Sequence, residues 1–121
     1  MSDCPFCARI AAGEYDLRDG GLSAVTFKPL RPVVPGHRLV VPVRHVTDYT
    51  DQPYITGQTA EYAARIAALF DLTVSNLITS AGAVATQTIP HLHFHLVPRR
   101  EGDGLALPWT GQQAAGTDSA P

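Results

Sequence analysis

Residues 91–97 read His-Leu-His-Phe-His-Leu-Val, a strict two-residue alternation. In a β-strand successive side chains point to opposite faces. The run therefore places His91, His93 and His95 on one side of a sheet, with Leu92, Phe94 and Leu96 on the other. The apolar side has to be buried under another element, and the opposite side becomes a row of imidazoles about 7 Å apart. Residues 54–73 supply the cover. They predict one long helix with Tyr62, Ile66, Leu69 and Phe70 on a common face. The alanines at 60, 63, 64, 67 and 68 favour the helix and permit close packing.

The rest of the chain predicts short elements around that pair. Cys4 to Ala12 forms a short helix, with Asp3 as its cap, Pro5 in the first turn and Gly13 as its stop. Leu22 to Phe27 reads as a strand. Residues 29–36 carry three prolines, which makes them a stiff irregular connection. His37 to Val43 is a strand that Pro42 brings to an end or to a sheet edge. Residues 75–80 and 91–97 complete the strands, with a loop at 81–90. The pattern is an α+β domain, a small antiparallel sheet with a helix packed on it. At 121 residues the chain holds one domain, residues 1–104, and 105–121 form a tail expected to be mobile.

Composition excludes several classes. With 45% hydrophobic and 17% charged residues the chain is an ordinary globular sequence, not a disordered one. A net charge of −2 argues against a protein that grips nucleic acid through backbone phosphates. No apolar run approaches the roughly 20 residues of a membrane helix. No signal peptide is evident at the N-terminus. A cytoplasmic protein is expected.

Three imidazoles in register allow two chemistries. Adjacent histidines can share a metal ion. Alternatively, a neutral imidazole can attack phosphorus and form a covalent intermediate that water hydrolyses, while its neighbours donate to phosphoryl oxygens. The Cys4-x-x-Cys7 pair is equally open by itself, since such a pair serves zinc or thiol redox chemistry. Redox use favours a strand–helix setting within a βαβ unit, which this chain lacks.

His91-Leu92-His93-Phe94-His95-Leu96-Val97 followed by Pro98-Arg99 closely resembles the signature of the histidine triad (HIT) family. Phe27, the run Pro35-Gly36-His37-Arg38-Leu39-Val40-Val41-Pro42, Arg44-His45-Val46 and Cys4-Pro5-Phe6-Cys7-Ala8-Arg9-Ile10 agree with it in order. The resemblance covers about residues 4 to 100. It implies a HIT-like fold of about five antiparallel strands, one long helix and a short N-terminal helix. It also implies a homodimer formed by joining sheets. The implied activity is hydrolysis at the α-phosphate of nucleoside phosphoramidates or dinucleoside polyphosphates through a nucleotidyl-histidine. In this chain the resemblance makes His93 the nucleophile, with His95 and His37 orienting and stabilising. His95, where a transferase branch carries Gln, points to hydrolysis. Gln87 and Thr88 would assist at the phosphate, and Phe6, Phe27 and Leu30 would line a nucleoside pocket. Purine nucleotides are the implied substrates, and no catalytic metal is required. The alternative is a nucleotide-binding or scaffold protein with little activity.

Three positions depart from the family pattern. Thr86 replaces a glycine ahead of Gln87. Pro29 falls where an acid grips the ribose hydroxyls, which implies looser demands on the sugar. Ser80 stands for an asparagine. Bacterial members also resemble this chain in a structural zinc site, which assigns Cys4, Cys7, His45 and His91 as ligands and leaves His93 and His95 for phosphate. Arg31, Arg38, Arg44, Arg99 and Arg100 flank the site segments and suit phosphate recruitment, although solvated surface arginines are the plainer expectation for each. Arg38 alternates with His37 and is expected to face away from it.

Overall fold

The computed structural model describes residues 3–21 and 23–108. Helix α1 (Pro5–Ala11) leads into β1 (Leu17–Arg18), β2 (Ala24–Phe27) and β3 (Arg38–Pro42). Helix α2 (Pro53–Leu69), β4 (Ser75–Ile78), a 3-10 turn (Ala83–Ala85) and β5 (Phe94–Pro98) follow. The five strands form one antiparallel sheet in the order β1-β2-β3-β5-β4. The expected Leu22 lies outside the described residues. So does most of the expected tail, from residue 109 onward. Among the described residues no helix is long and apolar enough to cross a membrane.

The alternation of the strands divides the core into two layers. Ala24, Val40, Phe94 and Leu96 point to one face, where Ile55, Tyr62, Ala63 and Ile66 of α2 cover them together with Leu92 and Val46. Val25, Phe27, Leu39 and Val41 point to the other, where Phe6 of α1 covers them. Leu92, Phe94 and Leu96 are buried under α2, as the alternation requires. Each such side chain contributes about 1.5–3 kcal/mol relative to leaving it in water.

Several local expectations shift. The cap of α1 is Cys4 rather than Asp3, because the Cys4 sulfur accepts the Cys7 amide at 3.3 Å. Gly13 does end that helix, at φ +74°, with its amide on the Ile10 carbonyl. Helix α2 ends at Leu69, four residues before Thr73. Asp71 takes φ +59° and the Leu72 amide returns to the Ala67 carbonyl, a left-handed closure that a non-glycine residue concealed. Leu69 and Phe70, at this end of the helix, are not buried: Leu69 is 73% exposed and Phe70 43%.

Pro42 does end β3, but in the interior of the sheet and not at an edge. The Val43 amide donates toward β2, to the Ser23 carbonyl, so the imino nitrogen of Pro42 faces the β5 side. There the ladder has already stopped at Val40 opposite Phe94, and no donor is missed. Likewise β5 begins only at Phe94, because His91 and Leu92 bond to loop carbonyls instead of a strand partner. The side-chain alternation continues through them regardless. Gly36, at φ +86° with Pro98 packed where a Cβ would sit, sets the entry to β3 and places His37 beside β5.

The 81–90 loop holds the replaced glycine position. Thr86 keeps the left-handed conformation a glycine would take, at φ +75°. A β-branched residue is strained there by about 1–2 kcal/mol. Thr86→Gly is therefore expected to raise stability by about 1 kcal/mol, less the added freedom of the unfolded chain. Urea unfolding would show a higher midpoint at an unchanged slope. An unchanged or lower midpoint would show that the loop is not strained.

Candidate active site and metal centre

On the α1 face, β2, β3 and β5 place Phe27, Leu39 and His95 in one row across the sheet. His37 approaches from the start of β3, and His93 stands beside His95 with ring centroids 5.3 Å apart. Phe6 of α1 sits edge-on to both His91 and His93, at 5.7 and 5.1 Å. The three alternating histidines thus share one face.

Their protonation follows from partners that can only donate or only accept. The Val33 amide donates to His37 Nδ1 at 3.1 Å, so the His37 proton lies on Nε2. His37 Nε2 lies 3.0 Å from His95 Nδ1 and donates to it, which puts the His95 proton on Nε2. His93 Nδ1 lies 2.8 Å from the His91 carbonyl and must donate to it, leaving Nε2 with a free lone pair. Thr79 in turn donates to the His93 carbonyl at 2.7 Å. Burial lowers the pKa of His37. His95 is pushed down to about 4, by burial first and then by His93 and His37. Both imidazoles are neutral at pH 7. The result is one imidazole with a bare nitrogen beside another with a proton to donate.

The fourth imidazole is turned to a second centre. His91, fully buried, donates from Nε2 to the Pro42 carbonyl at 2.9 Å, so its Nδ1 is bare. Burial lowers its pKa to about 4. That Nδ1 lies 3.3 Å from Cys4 Sγ, 3.5 Å from Cys7 Sγ and 3.1 Å from His45 Nδ1, and Cys7 Sγ is 3.3 Å from His45 Nδ1. Tetrahedral zinc with sulfur near 2.3 Å and nitrogen near 2.05 Å has ligand–ligand edges of about 3.3–3.8 Å. The donor set fits: all four atoms lie within 4.8 Å of one another. Cys4, Cys7, His45 and His91 are positioned to bind a metal. Without one, burial and the neighbouring Cys4 raise the Cys7 thiol, and a cation would reverse that.

Other expected residues are placed differently. Gln87 spends its amide on the loop: its oxygen accepts the Gly82 amide at 2.9 Å and its nitrogen donates to the Thr47 carbonyl at 2.7 Å. Thr88 is exposed on the same loop. Phe6 and Phe27 are core residues, 5.3 Å apart, and Phe27 has no exposed surface. Leu30 stands 93% exposed on the proline-rich loop. Arg38 turns away from His37, to Asp16 and the Phe70 ring. Arg99 is committed to Asp103, Asn76 and the Leu105 carbonyl, which ties the chain after β5 to β4. The supports that the residue pattern did not reveal are the Val33 amide, the His91 and Pro42 carbonyls and Thr79. Three of these are backbone groups, which carry no sequence signature.

The HIT domain profile matches residues 22–102. A HIT-like protein of Mycobacterium tuberculosis is 39% identical over 114 residues, covering 86% of this chain and 76% of that protein. The adenosine 5'-monophosphoramidase of Saccharomyces cerevisiae is 33% identical over 90 residues, covering 72% of this chain and 56% of that protein. Among solved structures, a zinc-bound histidine triad family protein of Mycobacterium smegmatis matches with TM-score 0.72 at 35% identity, covering 87% of this chain and 81% of that one.

The buried neutral histidines make stability pH-dependent. Unfolded, His95 binds a proton below about 6.5, whereas folded it stays neutral down to about 4. The unfolded state therefore binds more protons in that window, and stability falls as pH falls from about 6.5 toward 4. In His95→Gln the fall measured by urea unfolding should be shallower than in the unmutated protein. Parallel curves would show that His95 does not titrate differently in the two states.

Proposed function

This chain belongs to the HIT family, and from that premise we propose that it hydrolyses nucleotide derivatives at the α-phosphorus. The substrates are nucleoside phosphoramidates or dinucleoside polyphosphates. His93 Nε2 attacks phosphorus, an N–P bond forms, and the bond from phosphorus to the amine or second nucleotide breaks. Water then attacks the nucleotidyl-His93, the N–P bond breaks, and the nucleoside monophosphate leaves. The observation that carries this reading is the hydrogen bond from His93 Nδ1 to the His91 carbonyl, which leaves Nε2 as the one bare nitrogen of that ring. His95, whose proton is kept on Nε2 because its Nδ1 accepts from His37, donates to a phosphoryl oxygen as negative charge develops. Thr88, with the loop braced by Gln87, assists on the leaving-group side. The yeast relative's phosphoramidase activity supports the substrate class.

Cys4, Cys7, His45 and His91 would hold a zinc ion, as the zinc-bound mycobacterial relative supports. With four protein donors the ion keeps no position for substrate, and its contribution is to pin α1 against the sheet. Phe6 and Leu30 would border the nucleoside side of the site with the buried Phe27 packed behind them, and Pro29 offers the ribose no carboxylate. The open edge of β4, with Leu77 and Ile78 partly exposed, is where a second copy would continue the sheet in a homodimer. A protein of this kind works in the cytoplasm, where thiols stay reduced for zinc.

The test is an acid-quench experiment with adenosine 5'-phosphoramidate on protein purified without chelator. A nucleotidyl adduct on His93 and its loss in His93→Ala, with turnover falling at least about a thousandfold, are expected. Near one zinc per chain is expected in the same sample. Nucleotide binding without turnover or adduct would assign a binding protein instead.

A further inference from the structure

The end of α1 places a cation where the proposed nucleoside side of the site begins. Arg9, half-buried in the last turn, holds its guanidinium carbon 4.1 Å from the centroid of the Phe27 ring. Phe27 lies 5.3 Å from Phe6, and Phe6 lies 5.1 Å from His93. Successive ring contacts therefore link His93 through Phe6 and Phe27 to the Arg9 guanidinium. Among the described residues no carboxylate pairs with Arg9 and no acceptor meets its N–H groups. By contrast Arg38 pairs with Asp16, Arg65 with Asp19 and Arg99 with Asp103.

An aromatic face under a guanidinium orients its plane and leaves its N–H fork free to bond outward. Because Phe27 is fully covered, a base on this side of the site meets Arg9 before it meets that ring. The fork then discriminates among bases. A 6-oxopurine presents two adjacent acceptors, N7 and O6, which match two parallel N–H donors. Adenine presents N7 beside an amino donor, so one N–H of the fork faces another donor.

We propose that Arg9 is a specificity-determining residue that makes this site selective for 6-oxopurine nucleotides, guanine above all, over adenine nucleotides. The proposal rests on the nucleotide-hydrolase reading above and names its substrate class. Arg9 reads the base and takes no part in bond making. A bidentate pair of this kind gives about tenfold discrimination or more.

The experiment compares kcat/KM for guanosine and adenosine 5'-phosphoramidates in the unmutated protein, Arg9→Met and Arg9→Lys. Arg9→Met keeps an apolar stem over Phe27, and Arg9→Lys keeps the charge but not the fork. The unmutated protein is expected to favour guanosine by at least about tenfold, and both variants should bring the ratio to within about threefold of unity. A ratio near one in the unmutated protein, or a preference for adenosine, overturns the proposal. So does a guanosine preference that survives both variants. A loss that is equal for the two substrates also overturns it, since that would place Arg9 on the phosphate. If the unmutated protein turns over neither substrate, the hydrolase reading fails separately. The ratio of GMP to AMP dissociation constants by calorimetry, in the same three proteins, then decides the role of Arg9 by the same thresholds.

Discussion

The buried hydrogen bond from His91 Nε2 to the Pro42 carbonyl orients two centres at once. A carbonyl only accepts, so the imidazole proton is committed to it and Nδ1 faces Cys4, Cys7 and His45 as a bare donor atom. The same residue's own carbonyl accepts from His93 Nδ1 and so exposes His93 Nε2. The first bond is possible because the β3–β5 ladder stops at Val40, so the Pro42 carbonyl on that side has no strand partner. A proline in an interior strand is ordinarily a liability; here the missing donor faces a position the ladder never reaches. Outer partners of this kind fix a ligand's tautomer and orientation as much as the ligands themselves do.

The metal centre and the row of histidines are also joined through packing. Phe6 follows Cys4, whose sulfur caps α1, and its ring lies edge-on to both His91 and His93. Whatever holds Cys4 and Cys7 in place therefore also holds Phe6 against His93. A seven-residue helix is marginal on its own, so α1 depends on its capping sulfur, its buried Phe6 and its donor atoms for a fixed position. On the opposite face, α2 buries Leu92, Phe94 and Leu96 between the histidines, which makes the imidazole face rigid from beneath.

Much of this was legible in the residues. The two-residue period of 91–97 placed three imidazoles on one face and three apolar side chains under a helix, and both hold. The Cys-x-x-Cys pair with His45 and His91 identified a donor set whose four atoms do converge. The misplacements have local causes. Asp71 closes α2 in a left-handed conformation without a glycine to mark it, so the residue pattern extends the helix four residues too far and assigns Leu69 and Phe70 to the buried face. Thr86 keeps a glycine-like backbone that its side chain disguises. Phe27 is fully buried with Arg9 over its ring and Phe6 beside it, a relation that spacing along the chain does not express.

The sequence by itself determined which side chains share a face, because strand geometry converts spacing directly into direction. It determined the family and the inventory of imidazoles and thiols as well. Only the tertiary structure decided which nitrogen of each imidazole is bare. That choice depends on backbone groups: the Val33 amide and the His91 carbonyl, turned onto nearby rings by the local path of the chain, and the Pro42 carbonyl, brought in from another strand. Every residue but proline carries the same amide and every residue the same carbonyl, so their chemistry has no residue type to announce it and becomes specific only when the fold puts one beside a ring.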